Sequence, residues 1–171
     1  MKRFISVAIM FIICVATLSA QEFRLKSFDG NIQYAIQQED GYANNFGFNA
    51  GVTFETVKNL DLVPSVSYYI KTKGVYTWDV NADLHYNFHI EQSHKFALYP
   101  LIGVTYKVWG TKFKGAEDFN KLTCNKIGFN AGAGAQYMIT DTWSVKFEGK
   151  YQWFNHKFDN GVIGLGASYH F

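Results

Sequence analysis

Four side chains able to bind a metal or move a proton, Asp79, Asp83, His85 and His89, fall at even separations within one stretch of the chain. Imidazole and carboxylate are common ligands of divalent metals, so the set invites a metal-site reading. The spacing argues against it. Residues two apart on an extended chain share a face but lie about 6–7 Å from each other, so ligands would also have to converge from other strands. Acids on one face call for bases instead, and other segments place Lys71, Lys107, Lys146 and Lys150 with Glu55 and Glu148 on the same kind of face. The expectation is an interior ionic network of Glu55, Lys71, Asp79, Asp83, His85, Lys107, Lys146, Glu148 and Lys150, with no metal and no cofactor. Ser168 and His170 also share a face, and a hydroxyl near an imidazole is the start of a nucleophile–base pair. They lie at the end of the chain, facing the ionic side, so no catalytic residue is assigned.

The elements that carry these residues announce themselves by period. From Tyr76 to Ile90 every even position is apolar (Tyr76, Trp78, Val80, Ala82, Leu84, Tyr86, Phe88, Ile90) and every odd one polar (Thr77, Asp79, Asn81, Asp83, His85, Asn87, His89). Side chains alternate faces along a strand, so this is one apolar and one polar face. Soluble strands run about 5–6 residues, whereas a tilted membrane strand needs about 9–11. The length favours a membrane.

The alternation recurs. Phe46 to Glu55, Leu62 to Lys71, Phe96 to Val108, Ile127 to Ile139, Trp143 to Trp153 and Ile163 to Phe171 repeat it, and Asn31 to Gln38 is a weaker first strand with Ile32, Tyr34 and Ile36 outward. That makes eight. Short turns at Val57–Asp61, Glu91–Lys95 and Thr140–Thr142 alternate with connections at Glu39–Asn45, Thr72–Val75, Gly110–Lys126 and Asn155–Gly161, the third being longest. Short turns on one side and longer loops on the other are expected of outer-membrane barrels. The predicted fold is all-β: an eight-stranded antiparallel transmembrane β-barrel of up-and-down meander topology, both termini periplasmic.

A soluble eight-stranded barrel would share much of this, so the sorting of the faces decides. Tyr76 and Trp78, then Val80, Ala82 and Leu84, then Tyr86 and Phe88 put rings at both ends of an aliphatic middle, as do Phe129, three alanines and Tyr137. Amphipathic rings favour the headgroup level, which produces two girdles. Lysine facing the bilayer midplane would cost about 2–4 kcal/mol, so the charged face is inside. Inward glycines (Gly51, Gly103, Gly128, Gly132, Gly134, Gly164, Gly166) leave room for longer neighbours, and an eight-stranded interior is just wide enough to be filled by side chains. Pro64 and Pro100 each remove a ladder donor, and local bulges are expected there.

The first residues read as an export signal. Lys2 and Arg3 precede an apolar run from Phe4 to Thr17, and Leu18-Ser19-Ala20 offers a cleavage site. The run is shorter than the roughly 20 residues of a spanning helix. The expected organisation is a signal peptide at 1–20 and a barrel domain at 21–171. Sixteen basic and fourteen acidic residues give the whole chain +2, and loss of Lys2 and Arg3 brings it to zero. With no basic block, no nucleic-acid partner is expected. Cys124 would be the single cysteine of the exported part, which excludes an intramolecular disulfide.

Gly47-Phe48-Asn49-Ala50-Gly51 recurs as Gly128-Phe129-Asn130-Ala131-Gly132, and Leu62-Val63-Pro64 as Leu98-Tyr99-Pro100. With these repeats and its terminal Tyr169-His170-Phe171, the chain resembles the small outer-membrane β-barrel proteins of the porin-like, opacity-protein and outer-membrane protein A barrel families. The resemblance implies residence in the bacterial outer membrane, among its lipid and lipopolysaccharide, as a monomer. It also implies an assembly signal at Leu165, Ala167, Tyr169 and Phe171, read by the barrel-assembly machinery. No cell-wall-binding domain is expected after the barrel. Some barrels of this kind modify lipid A, which would need a Ser or His with an acid near the outer leaflet; Ser168 and His170 are expected at the periplasmic end. The expected function is a non-enzymatic one, in envelope structure or surface interaction through outer loops. His156, Lys157 and Phe158 with the Gly110–Lys126 loop are candidates for meeting an extracellular ligand. The alternative is a narrow channel for ions or small hydrophobic solutes.

Overall fold

In the computed structural model, which describes residues 24–38, 44–72, 74–89, 95–112, 121–154 and 158–171, every regular element is a strand. The expected signal peptide lies outside these residues. The strands are β1 (Arg24–Gln37), β2 (Asn45–Val57), β3 (Leu60–Thr72), β4 (Val75–Tyr86), β5 (Phe88–His89), β6 (Phe96–Lys112), β7 (Lys121–Met138), β8 (Trp143–Trp153) and β9 (Asn160–His170). Apart from β4 and β5, which do not pair with each other, consecutive strands pair antiparallel, and β1 pairs with β9 from Ser27↔His170 to Gln37↔Asn160. The pairing of β4 with β6 completes the circuit. The segments β4 and β5 form one barrel strand, because both meet β6 in a single register, His85↔Leu101 and then Phe88↔Leu98. The result is a closed eight-stranded antiparallel barrel, with no open sheet edge to satisfy.

The first strand is longer than the alternation suggests. Leu25 and Phe28 both point outward although they are three positions apart, because the β1–β2 register slips between Leu25 and Ser27. A bulge inserts one residue and reverses the face assignment on its far side. Asp29 keeps the inward parity of Gln33, and the slip brings Lys26 to the lumenal side, where it meets Asp61. At the far end, β6 and β7 continue to pair through Thr111↔Leu122 and Lys112↔Lys121, so much of the expected Gly110–Lys126 loop is strand. Beyond the lipid neither face has to be apolar, so the pattern fades before the ladder does.

No bulge forms at either proline. The β2–β3 partners pass from Gly51↔Ser65 to Phe54↔Leu62 without a change of register, while Pro64 pairs in step with Ala82 on its other side. Pro100 likewise pairs with Ala133, and the lapse falls on its β4/β5 side. A missing N–H removes a ladder bond on one side only and requires no extra residue. Asn87, in the gap between β4 and β5, donates its N–H to the Asn59 carbonyl at 2.7 Å. The Lys58-Asn59 turn uses positive φ at Asn59 (68°), a conformation Asn tolerates better than most residues.

The outer surface is a continuous apolar belt. Ile32, Phe48, Val66, Ile102, Val104, Phe147 and Leu165 stand exposed along it. In water so large a patch would drive association; in hydrocarbon it is what solvation requires. Rings gather at its ends. Near the termini, Phe171 meets Phe28 (5.1 Å) and Tyr169 (5.4 Å), Tyr169 meets Trp143 (5.3 Å), and Tyr86 meets Phe88 (4.8 Å). Near the loops, Tyr34 meets Phe46 (4.7 Å), Trp78 meets Tyr106 (6.2 Å), and Tyr151 meets Trp153 (4.7 Å).

Candidate functional site

The lumen holds the chemistry, and its charged side chains stand in tiers. Nearest the termini, Lys26 Nζ donates to Asp61 Oδ2 at 2.7 Å, and Asn87 Nδ2 reaches the same oxygen at 2.8 Å. One step in, Lys146 Nζ donates to Asp29 Oδ1 at 2.9 Å while Thr53 Oγ1 donates to Asp29 Oδ2 at 2.5 Å. Each carboxylate thus has a cation and a neutral donor, the combination that offsets desolvation of a buried ion pair.

The middle tier is built on Asp83. Its two oxygens accept from Lys150 Nζ and Asn130 Nδ2, both at 2.7 Å. Glu148 lies 3.9 Å from Lys150 Nζ and 3.9 Å from His85 Nε2, and accepts from the Tyr99 hydroxyl at 3.3 Å. The His85 and Tyr99 rings stack at 4.6 Å. This tier needs its glycines, because a Cβ on Gly134 would strike the Tyr99 ring and one on Gly103 would strike the Asp83 side chain and the Ala82 carbonyl.

Nearest the loops, the fully buried Lys107 and Asp79 face each other across a β4–β6 register pair, with Nζ 3.5 Å from Oδ2. Lys107 Nζ also donates to Gln152 Oε1 (2.9 Å) and Asn160 Oδ1 (3.1 Å). Trp109 packs over this tier against Phe154 (5.4 Å) and Phe158 (5.2 Å). An amide chain links the two upper tiers: Gln152 Nε2 donates to Asn81 Oδ1 at 3.3 Å, and Asn130 Nδ2 to the same oxygen at 3.2 Å.

The expected network residues thus meet different fates. Asp79 meets Lys107, Asp83 meets Lys150, and Glu148 lies near His85 and Lys150. Lys146 is in the lumen but takes Asp29, which the alternation did not place there. Glu55 does not join them; it sits at the terminal rim, 3.6 Å from the exposed Arg24 Nε. The side chains of Lys71 and His89 lie outside the described residues. Lys26, Asp29 and Asp61 were illegible because they lie at or before strand starts, where alternation has no phase. Tyr99 and Leu101, both buried, share β6 with outward apolar residues, so apolarity marks neither face there.

His170 finds a different serine. Its Nε2 lies 2.8 Å from Ser144 Oγ and 3.1 Å from Gln136 Nε2. No carboxylate hydrogen-bonds to it among the described residues, so the third member of a hydrolytic triad is missing. No group of three or more His, Cys, Asp or Glu is placed to hold a metal among those residues. Leu165 and Tyr169 on β9, and Phe171 just after it, are exposed on the outer side. Cys124 is exposed.

A closed barrel with a lipid-facing belt and a charged lumen has a counterpart among known families. The model of the outer membrane protein beta-barrel domain matches residues 5–171. The chain belongs to this family. The barrel is similar in structure to Neisserial surface protein A, with a TM-score of 0.67 at 17% identity, covering 86% of this chain and 96% of that one. It is also similar to the N-terminal β-barrel domain of Pseudomonas aeruginosa OprF (TM-score 0.62, 17% identity, 86% and 100% covered). A third likeness is to Ail, the attachment invasion locus protein of Yersinia pestis (TM-score 0.61, 18% identity, 86% and 98% covered). At such identities the likeness is one of fold. No curated protein matches the sequence. As an outer-membrane barrel, the chain is an integral membrane protein that crosses with strands.

Proposed function

We propose that this outer-membrane barrel is a non-enzymatic scaffold, its lumen filled by paired charges, acting in envelope structure or surface interaction through the loops at one end. The observation that supports this reading is the stack of tiers in which four inward lysines find a carboxylate: Lys26 with Asp61, Lys146 with Asp29, Lys150 with Asp83 and Lys107 with Asp79. Ions crossing such a lumen would have to displace bonded partners rather than pass them. Both termini and the short turns then face the periplasm, after export on a signal peptide cleaved at Ala20, and the outward residues Leu165, Ala167, Tyr169 and Phe171 serve the assembly machinery. The longest connection, Gly110–Lys126, carries Lys112, Lys114, Lys121 and Lys126 against Glu117 and Asp118. Ail has a structure in complex with the heparin analogue sucrose octasulfate, so a polyanion is the extracellular ligand class to try first, beside lipopolysaccharide.

Planar-bilayer recording tests the filled lumen: the refolded protein should insert without single-channel steps. Stable steps would overturn the scaffold reading in favour of a narrow channel. Loss or gain of an acyl chain on lipid A after expression would overturn its non-enzymatic part.

A further inference from the structure

The lumen is not uniformly dense. In the middle tier the Glu148 side chain keeps 20% of its surface accessible, whereas Lys107 and Asp79 keep none. Gln152 and Asn160 beside them are equally closed off. The level of Lys107 and Asp79 is therefore completely closed, whereas the tier of Glu148 keeps some accessible surface.

What fills that level is an ammonium group in a complete cation site. Lys107 Nζ has two amide oxygens at 2.9 and 3.1 Å and a carboxylate oxygen at 3.5 Å. It also lies 4.8 Å from the centre of the Tyr69 ring, 5.7 Å from Phe154 and 6.0 Å from Trp109. Aromatic faces with a carboxylate and neutral oxygens are the donor set that recognises an organic ammonium ion. The lysine hangs from β6, yet its amide partners stand two and three strands further round the wall, on β8 and β9. Its side chain therefore spans the lumen instead of lying along it.

We infer that this level is an organic-cation site whose native occupant is the chain's own Lys107 side chain, tethered there as the seal of the barrel. The inference rests on the scaffold reading and locates its seal in one group. Shortening Lys107 leaves Asp79, the amide oxygens and the rings facing an empty volume. Free alkylammonium ions of matching length then have a place to bind, and until they do, small cations have a way past.

The test uses the refolded full barrel in planar bilayers, with folding checked by heat-dependent gel mobility. Wild type should be silent, Lys107→Ala should show cation-selective steps, and n-propylammonium should close them. Closure is expected at a concentration about tenfold below that at which sodium acts, the scale of preference that a desolvated cation gains over aromatic faces. A folded, silent Lys107→Ala barrel, or steps that propylammonium reduces no better than sodium, overturns the inference and leaves the scaffold reading intact. Steps from wild type overturn both. A measurement on wild type alone covers a variant that does not fold: reductive methylation in the folded state should modify the exposed Lys58 and Lys95 and spare Lys107. Methylation of Lys107 as fast as Lys58 overturns the seal.

Discussion

Lys146 Nζ and Asp29 Oδ1 meet at 2.9 Å inside the barrel, although 117 positions separate them in the chain. The contact ties β8 to β1 past the intervening β9, and it exists only once the barrel is closed. Asp29→Asn leaves Lys146 without its carboxylate, and breaking a buried pair in this way costs about 3–5 kcal/mol. Lys146→Met should cost less, because Asp29 keeps its donors Thr53 and Ser27. Urea unfolding of the two single variants and the double variant in detergent micelles gives the order and the coupling; equal losses for both singles would refute the asymmetry.

Gly132 and Gly149 stand on adjacent strands and answer opposite demands. A Cβ on Gly132 would collide with the Gly149 carbonyl and the Lys150 backbone, whereas one on Gly149 meets open space on the lipid face. Gly132→Ala is expected to lower stability by about 1–3 kcal/mol, the range for overpacking. Gly149→Ala should change it little, or raise it by about 0.4–1 kcal/mol through the unfolded chain. Comparison of refolding yields and unfolding midpoints checks the contrast.

Ile102 and Ile127 are similarly exposed, at 63% and 66%, but at different depths of the belt. Ile102 pairs across to Leu84 and Ala131 in the aliphatic zone, while Ile127 lies beside Tyr106 near the loop-end ring girdle. Substituting Lys at 102 should cost about 2–4 kcal/mol in a bilayer and at 127 about 0–1 kcal/mol. Equal costs would mean that the belt has been placed at the wrong depth.

The processed protein should begin at Gln21, with no basic leader. Mass spectrometry of the barrel purified from outer membranes reads this directly, and retention of Phe4–Thr17 would turn the leader into an anchor.

Lipid imposes its rule on each residue separately, and that is why so much of the architecture could be read along the chain. An outward position within the hydrocarbon must be apolar whatever its neighbours are, so Tyr76 to Ile90 declares its period, its two faces and its membrane length without any tertiary knowledge. Eight such stretches determined the barrel, and the rings at their ends marked its girdles. Inside the lumen no rule of that kind acts. Which cation meets which acid depends on the register between distant strands and on local slips such as the one at Leu25/Ser27, which brings Lys26 inward to Asp61. Glu55 alternates correctly and still ends at the rim beside Arg24, while Asp61, its register partner on β3, takes Lys26. Lys107 faces inward by simple parity, but only closure brings Gln152, Asn160, Tyr69 and Phe154 around its ammonium. Parity is a local property of one strand; partnership across a lumen belongs to the closed barrel.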